Sequence, residues 1–310
     1  MSELFTQSAI IAVVAGGIRL AVPLLIASLG ETYGQRSGVL NLGVDGIMLL
    51  GAFGGYYAVL KTGSPWIGLM VGVAVGIIMG LVSALMAVTL KAVQGISGIG
   101  VFLFGLGMSD LLFQKWVGTP RPITKFPKLD VPGLSDIPWL GEMLFQHSVV
   151  IYVAFAAIPF SMWVINKTTF GMNIRAVGEN PEAADSLGVS VPRIRWATVT
   201  IGGTLAGVAG AILAIDLGIF QQNITNAQGF IAIALVYFGA WRPLGIMLGS
   251  LLYGLINALV LQMKVLEIIP PDWSDIAAMT PAVITILALV VVASRFQPPS
   301  ALTKPFTRGA

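Results

Sequence analysis

The chain has 310 residues, of which 56% are apolar and only 10% charged, against about 25% charged in an ordinary soluble domain. With a mean hydropathy of +0.89 it cannot cover a water-facing surface with polar groups, so lipid must be much of its solvent. The net charge of +3 comes from 17 Lys and Arg that mostly lie between apolar runs, which reads as membrane topology and not as a nucleic-acid surface, and the lack of cysteine excludes a disulfide framework and Cys-ligated metal sites.

About 20 apolar residues are needed to cross a hydrocarbon core about 30 Å thick. By that measure nine segments are predicted: 7–29, 37–60, 65–90, 95–118, 147–166, 197–216, 229–241, 243–263 and 276–294, an all-α polytopic membrane protein. The first has no basic stretch ahead of it and carries Arg19 in its middle, which reads as a retained span and not a cleaved signal peptide. The seventh is too short for a full straight helix and predicts a half-helix or re-entrant piece buried in protein. The single histidine, His147, opens the fifth and is assigned no chemical role.

Residues 119–146, rich in proline, are expected to form a structured cap outside; residues 167–196 are expected inside; and 297–310 read as a flexible cytoplasmic tail behind a permease domain of residues 1–296. With the N-terminus outside and nine crossings, the cytoplasmic side holds ten Lys and Arg (Arg36, Lys91, Lys167, Arg175, Arg193, Arg195, Arg242, Arg295, Lys304, Arg308) against five outside (Lys61, Arg121, Lys125, Lys128, Lys264). That two-to-one excess agrees with the rule that positive charge stays in the cytoplasm.

An internal repeat is legible. Residues 37–53 (SGVLNLGVDGIMLLGAF) are echoed by 229–241 (GFIAIALVYFGAW), each ending in Gly-Ala-aromatic and each followed by Pro and a glycine-studded helix. Segments 2–3 therefore match 7–8, an offset of five spans, which inverts the orientation; the halves are about 7–118 and 197–294. Inverted repeats with broken helices at matching positions are typical of transporters, with the path near the repeat interface. Gly68, Gly72, Gly76 and Gly80 recur every four residues on one helix face and read as close helix packing, a theme repeated by Gly203 and Gly207 and by Gly245 and Gly249.

Three ionisable residues lie inside apolar runs: Arg19, Asp45 and Asp110. Each is costly in lipid and must face protein or water. Two readings stay open: Asp45 and Asn41 hydrogen-bond a polar solute on the path, or they are structural, with Arg19 pairing to Asp45 or Asp110. Three such groups are too few for a proton relay. In the inner loop, Asn180 suits a helix N-cap, Pro181 the first helical position and Gly188 the position after the end. A short cytoplasmic helix is thus predicted over Pro181, Glu182, Ala183, Ala184, Asp185, Ser186 and Leu187, shaped as a docking element for another protein. No GxxxxGK[ST], HExxH or GxSxG pattern occurs, so neither a Walker ATP site nor a familiar hydrolase motif is present.

Residues 37–52 with the preceding Glu31-Thr32-Tyr33-Gly34-Gln35-Arg36, together with 171–191 and 229–245, resemble the branched-chain amino acid and simple-sugar type of ABC permease, and within it the nucleoside or simple-sugar subgroup. Asp45 stands where that pattern usually has Glu. The resemblance covers nearly the whole chain in order. It implies an importer subunit of a prokaryotic cell membrane that works by alternating access. It further implies a second, non-identical permease subunit, a separate cytoplasmic ATPase with two nucleotide-binding cassettes, and an extracytoplasmic solute-binding protein of lipoprotein type. No cofactor is implied in this chain, and no nucleic acid. The helix around residues 180–188 maps to the coupling helix that inserts into the ATPase. A cavity between segments 2 and 7 would offer Asn41, Asp45, Tyr237 and Phe238 to the solute, although Tyr237 and Phe238 cannot both face inward on a regular helix. The alternative is a self-sufficient ion-coupled secondary transporter, disfavoured by the scarcity of intramembrane acids.

Overall fold

The computed structural model describes residues 6–130, 132–293 and 297–308. Helices dominate: α1 (Gln7–Arg36), α2 (Val44–Thr62), α3 (Pro65–Ala84, running on as a π-helical turn, Leu85–Thr89), α4 (Gln94–Trp116), α5 (Val149–Lys167), α6 (Thr169–Glu179), α7 (Pro181–Ser186), α8 (Val191–Leu217), α9 (Gln228–Phe238), α10 (Pro243–Val265) and α11 (Ser274–Ala293). Among the described residues, α1, α3, α4, α5, α8 and α10 are long and apolar enough to cross a bilayer. At 19 and 20 residues, α2 and α11 match the shorter of these in length, and α9 has only 11. The seventh segment is thus a short helix, as its length predicted.

The glycine row of α3 packs the centre. Gly72, Gly76 and Gly80 lie directly against Gly203, Gly207 and Ala211 of α8, so that a methyl group on Gly207 would fall 2.6 Å from the Gly76 α-carbon. Without side chains between them the two backbones approach closely, which supplies dispersion contact that lipid cannot drive. Gly17 and Gly254 do the same where α1 crosses α10.

Among the boundaries that differ from the sequence expectation, three have a clear physical reason. α1 continues to Arg36 instead of ending at 29, because Glu31, Thr32 and Gln35 are polar yet buried inside the protein and find partners there. α2 starts at Val44 and not at 37: Gly38 has φ +92°, and the Asn41 side chain accepts the Gly43 N–H at 2.9 Å, so residues 37–43 form an unwound lead-in. α9 stops at Phe238 because Ala240 and Trp241 both adopt positive φ, turning the chain sharply into α10.

Outside the bundle, β1 (Lys128–Asp130) pairs antiparallel with β2 (Gln146–Ser148), Leu129 opposite His147. The His147 imidazole contacts the Met143 carbonyl at 2.9 Å, and burial holds its pKa below the ordinary value. Ile123 N–H donates to Gly218 O at 2.9 Å, and the Tyr56 hydroxyl donates to Arg121 O at 2.9 Å, so the loop after α4 is pinned over the ends of α2 and α8. Residues 297–308, expected to be flexible, are instead bound to the bundle: Ala301 N–H donates to Gly178 O at 2.9 Å and Thr303 N–H to Gly38 O at 3.1 Å.

Candidate functional site

Two places are candidates for function: a junction of broken helices inside the bundle, and an exposed helix at one end of it. The junction is built by α2 and α9. Gly46, in the first turn of α2, lies against Phe102 and Gly105, at the middle of α4. At that same level the first turn of α9 meets α2: Gly229 is seated on the Asp45 backbone, where any side chain would collide. From there the two helices diverge. α2 runs to the end where Tyr56 meets Arg121, and α9 to the opposite end, where the Trp241 indole N–H donates to Gln35 Oε1 at 2.8 Å. Two helix N-termini therefore face one another midway through the bundle, pointing opposite ways, as an inverted repeat requires.

Asp45 sits at this meeting point, fully buried. Its Oδ1 accepts the Gly229 N–H at 2.7 Å and its Oδ2 accepts the Thr225 hydroxyl at 3.1 Å. Both oxygens are thus engaged by the protein. A carboxylate here offsets the partial positive charge of two helix N-termini and satisfies an otherwise unpaired N–H. The Asn41 side-chain oxygen accepts the Gly43 N–H, and the Asn41 backbone N–H donates to Glu31 Oε1 at 3.0 Å. Tyr237 and Phe238 are half-buried: Tyr237 packs edge-on against Trp241 at 4.9 Å, and the Phe238 ring covers Gly249. The structure brings Asn41 and Asp45 to the lead-in and first turn of α2, and places Tyr237 and Phe238 at the far end of α9.

Sequence reasoning missed the polar chain that supports this junction. Glu31 is 2% exposed, accepts Asn41 N–H and, at 3.3 Å, the Gln35 amide; Gln35 in turn takes the Trp241 indole. The available signal was an acid followed four residues on by an amide, one helical turn apart on one face. Arg19 pairs with neither Asp45 nor Asp110: its Nη2 lies 3.0 Å from Asp216 Oδ2. Asp216 escaped notice because it is the last residue of its apolar run.

At the bundle's other end α7 forms as the sequence predicts, one residue shorter. The Asn180 side chain accepts Ala183 N–H at 3.0 Å, Pro181 opens the helix, and Gly188 takes φ +87°, letting Val189 N–H reach Ala184 O at 3.0 Å. Ala184 alone of its residues is buried, against Val177 and Val191. Glu182, Ala183 and Ser186 face outward, and Leu187 is 85% exposed. Asp185 is not free: its Oδ2 is 2.9 Å from Arg308 Nε.

Residues 13–292 match the family described as the permease component of branched-chain amino acid transport systems, and the chain belongs to that family. It is a permease subunit and not an enzyme. The chain is 38% identical over 276 residues to a protein provisionally named a glucose ABC transporter permease in Haloferax volcanii, spanning 87% of this chain and 83% of that one. It is 32% identical over 300 residues to the guanosine ABC transporter permease NupQ of Bacillus subtilis, spanning 93% and 94%. The nucleoside ABC transporter permease NupC of Lactococcus lactis is 34% identical over 302 residues, again 93% and 94%. No solved structure matches significantly.

Proposed function

We propose that this chain forms one half of the transmembrane path of an ABC importer for nucleosides or simple sugars, with α7 as the helix that docks into a separate ATPase carrying two nucleotide-binding cassettes. The observation that carries this is α7 itself: a capped, one-residue-anchored helix at the end of the bundle that presents Leu187 to solvent. Held exposed at the end of a capped helix, Leu187 offers an apolar contact to another protein. The solute class rests on the glucose, guanosine and nucleoside permeases to which the chain is similar. NupP, a second guanosine permease of Bacillus subtilis, is 26% identical to this chain over 305 residues, which supports a non-identical second permease subunit here. An extracytoplasmic lipoprotein would deliver solute to the outer face.

In this reading the N-terminus lies outside, α7 faces the cytoplasm, and the protein sits in a prokaryotic cell membrane. The path passes the junction of α2 and α9. There Asn41 and Asp45 hold the wall in shape, and the rings of Tyr237 and Phe238 shape its cytoplasmic end. Binding of ATP would move α7 and rock the two permease subunits between outward and inward openings.

The test is uptake of labelled nucleosides and glucose by cells expressing the full transporter, with and without Leu187→Asp. Uptake should require ATP and be competed by one solute class, and the well-inserted variant should lose both uptake and the co-purifying ATPase. Uptake that persists without ATP and follows an ion gradient sinks the reading.

A further inference from the structure

Residues 297–308 touch parts of the bundle that are distant in sequence. They bind the end of α6, just before α7: Ala301 N–H donates to Gly178 O, and the Ser300 hydroxyl donates to Glu179 Oε2 at 3.0 Å. They bind the unwound lead-in to α2 through Thr303 N–H and Gly38 O. Leu302 packs on the buried cluster that contains Leu29, Val236 and Trp241. Beyond that, Phe306 packs beneath α7 with Val177, Ala184 and Val191, and Arg308 pairs with Asp185.

Arg195 of α8 locks this arrangement. It is only 3% exposed, and a guanidinium so buried needs partners. Its Nε donates to Ser37 O at 3.1 Å and its Nη1 to Lys304 O at 2.9 Å, joining the lead-in to the C-terminal segment. The lead-in is not helical, and its first two carbonyls are held by residues far along the chain. Ser37 O is held by Arg195 and Gly38 O by Thr303. A shift of residues 297–308 that left the lead-in behind would strip the carbonyl of Gly38, a buried residue, of its partner, which polar groups away from water resist.

We propose that residues 297–308 act as a transmission strap, carrying displacement of α7 to the unwound segment 37–43 and so to the first turn of α2, where the helix N-termini meet. This rests on the reading of α7 as the ATPase-docking helix. Phe306, Thr303 and Arg195 are positioning residues: they link the docking helix to the path and touch no solute.

The test uses the assembled transporter in proteoliposomes, with ATP hydrolysis and solute uptake measured on the same vesicles. Phe306→Ala weakens the grip under α7, and Thr303→Pro removes the N–H that holds Gly38 from a residue whose φ of +66° proline cannot adopt. Both variants should retain the ATPase and its hydrolysis while uptake per ATP falls about five-fold or more. Since the chain has no cysteine, a Ser300→Cys/Glu179→Cys pair can be oxidised in the Phe306→Ala background to fasten the strap beside α7. Oxidation should restore uptake per ATP, and a reductant should abolish it again, a reversal that a misfolded variant would not show. Unchanged uptake per ATP in both strap variants, with Leu187→Asp still losing the ATPase, overturns the strap alone. Loss of the ATPase from the strap variants also overturns it, making the strap part of the docking face. If Leu187→Asp keeps the ATPase, the reading of α7 falls and the strap proposal with it.

Discussion

Asp45 turns both carboxylate oxygens on groups of its own chain. Its two oxygens close the start of α9 and hold Thr225, so its charge works on the protein's own helix ends. Removing it should leave the Gly229 N–H buried and unpaired. Asp45→Ala is expected to cost about 2 kcal/mol of stability. Asp45→Asn keeps an acceptor for Gly229 and should cost less, losing mainly the interaction with the helix dipoles. Thermal unfolding of the purified protein in detergent separates the two. If Asp45→Ala unfolds like the wild type but weakens solute uptake selectively, the carboxylate contacts solute and the capping account is wrong. The sequence revealed Asp45 as a costly intramembrane charge, yet not its role, because its partners lie 180 and 184 residues away on another element.

At the scale of elements, what was legible is what local chemistry dictates. α7 was readable from Asn180, Pro181 and Gly188, since a cap, a first-turn proline and a left-handed glycine act within one turn. The glycine row of α3 was readable as a packing face, and its partner on α8, Gly203 and Gly207, was visible as a second row though nothing in the sequence paired the two. Gly207→Val should therefore force α3 and α8 apart. Because the atoms opposite are the Gly72 and Gly76 backbone and not a side chain that can swing away, the variant is expected to lose most of its folded yield in the membrane, read by size-exclusion profile of the detergent extract. Gly100→Val, at a position with nothing within 4 Å, should extract normally; equal yields for both would refute backbone contact as the reason for the row. Hydropathy was misleading where polar residues are satisfied by protein. It ended α1 at 29, before Glu31 and Gln35, and residues 297–308 read as part of a loose tail. The bonds that fix residues 301 and 303 are made by backbone N–H groups, which leave no mark on composition.

At the scale of the whole molecule the charges sort by end. Arg36 lies against Gly178, Arg195 against Lys304 O, and Arg308 against Asp185, all at the end that carries α7; Arg121 and Lys125 lie at the end where Tyr56 and Gly218 sit. The sequence assigns ten cationic residues to the first side and five to the second. Cytoplasmic loops hold the excess of Lys and Arg, so the α7 end is the one that should face the ATPase. A single-cysteine experiment decides this cleanly in a chain that has none of its own. Asp136→Cys lies in the loop before β2, and Ser186→Cys in α7; both positions are exposed in the structure. A membrane-impermeant maleimide added to intact cells should label the cysteine at 136 and spare the one at 186, which should react only after the membrane is opened. The opposite pattern would turn the protein over, place α7 away from any cytoplasmic ATPase, and take the docking role of Leu187 and the strap behind it down together.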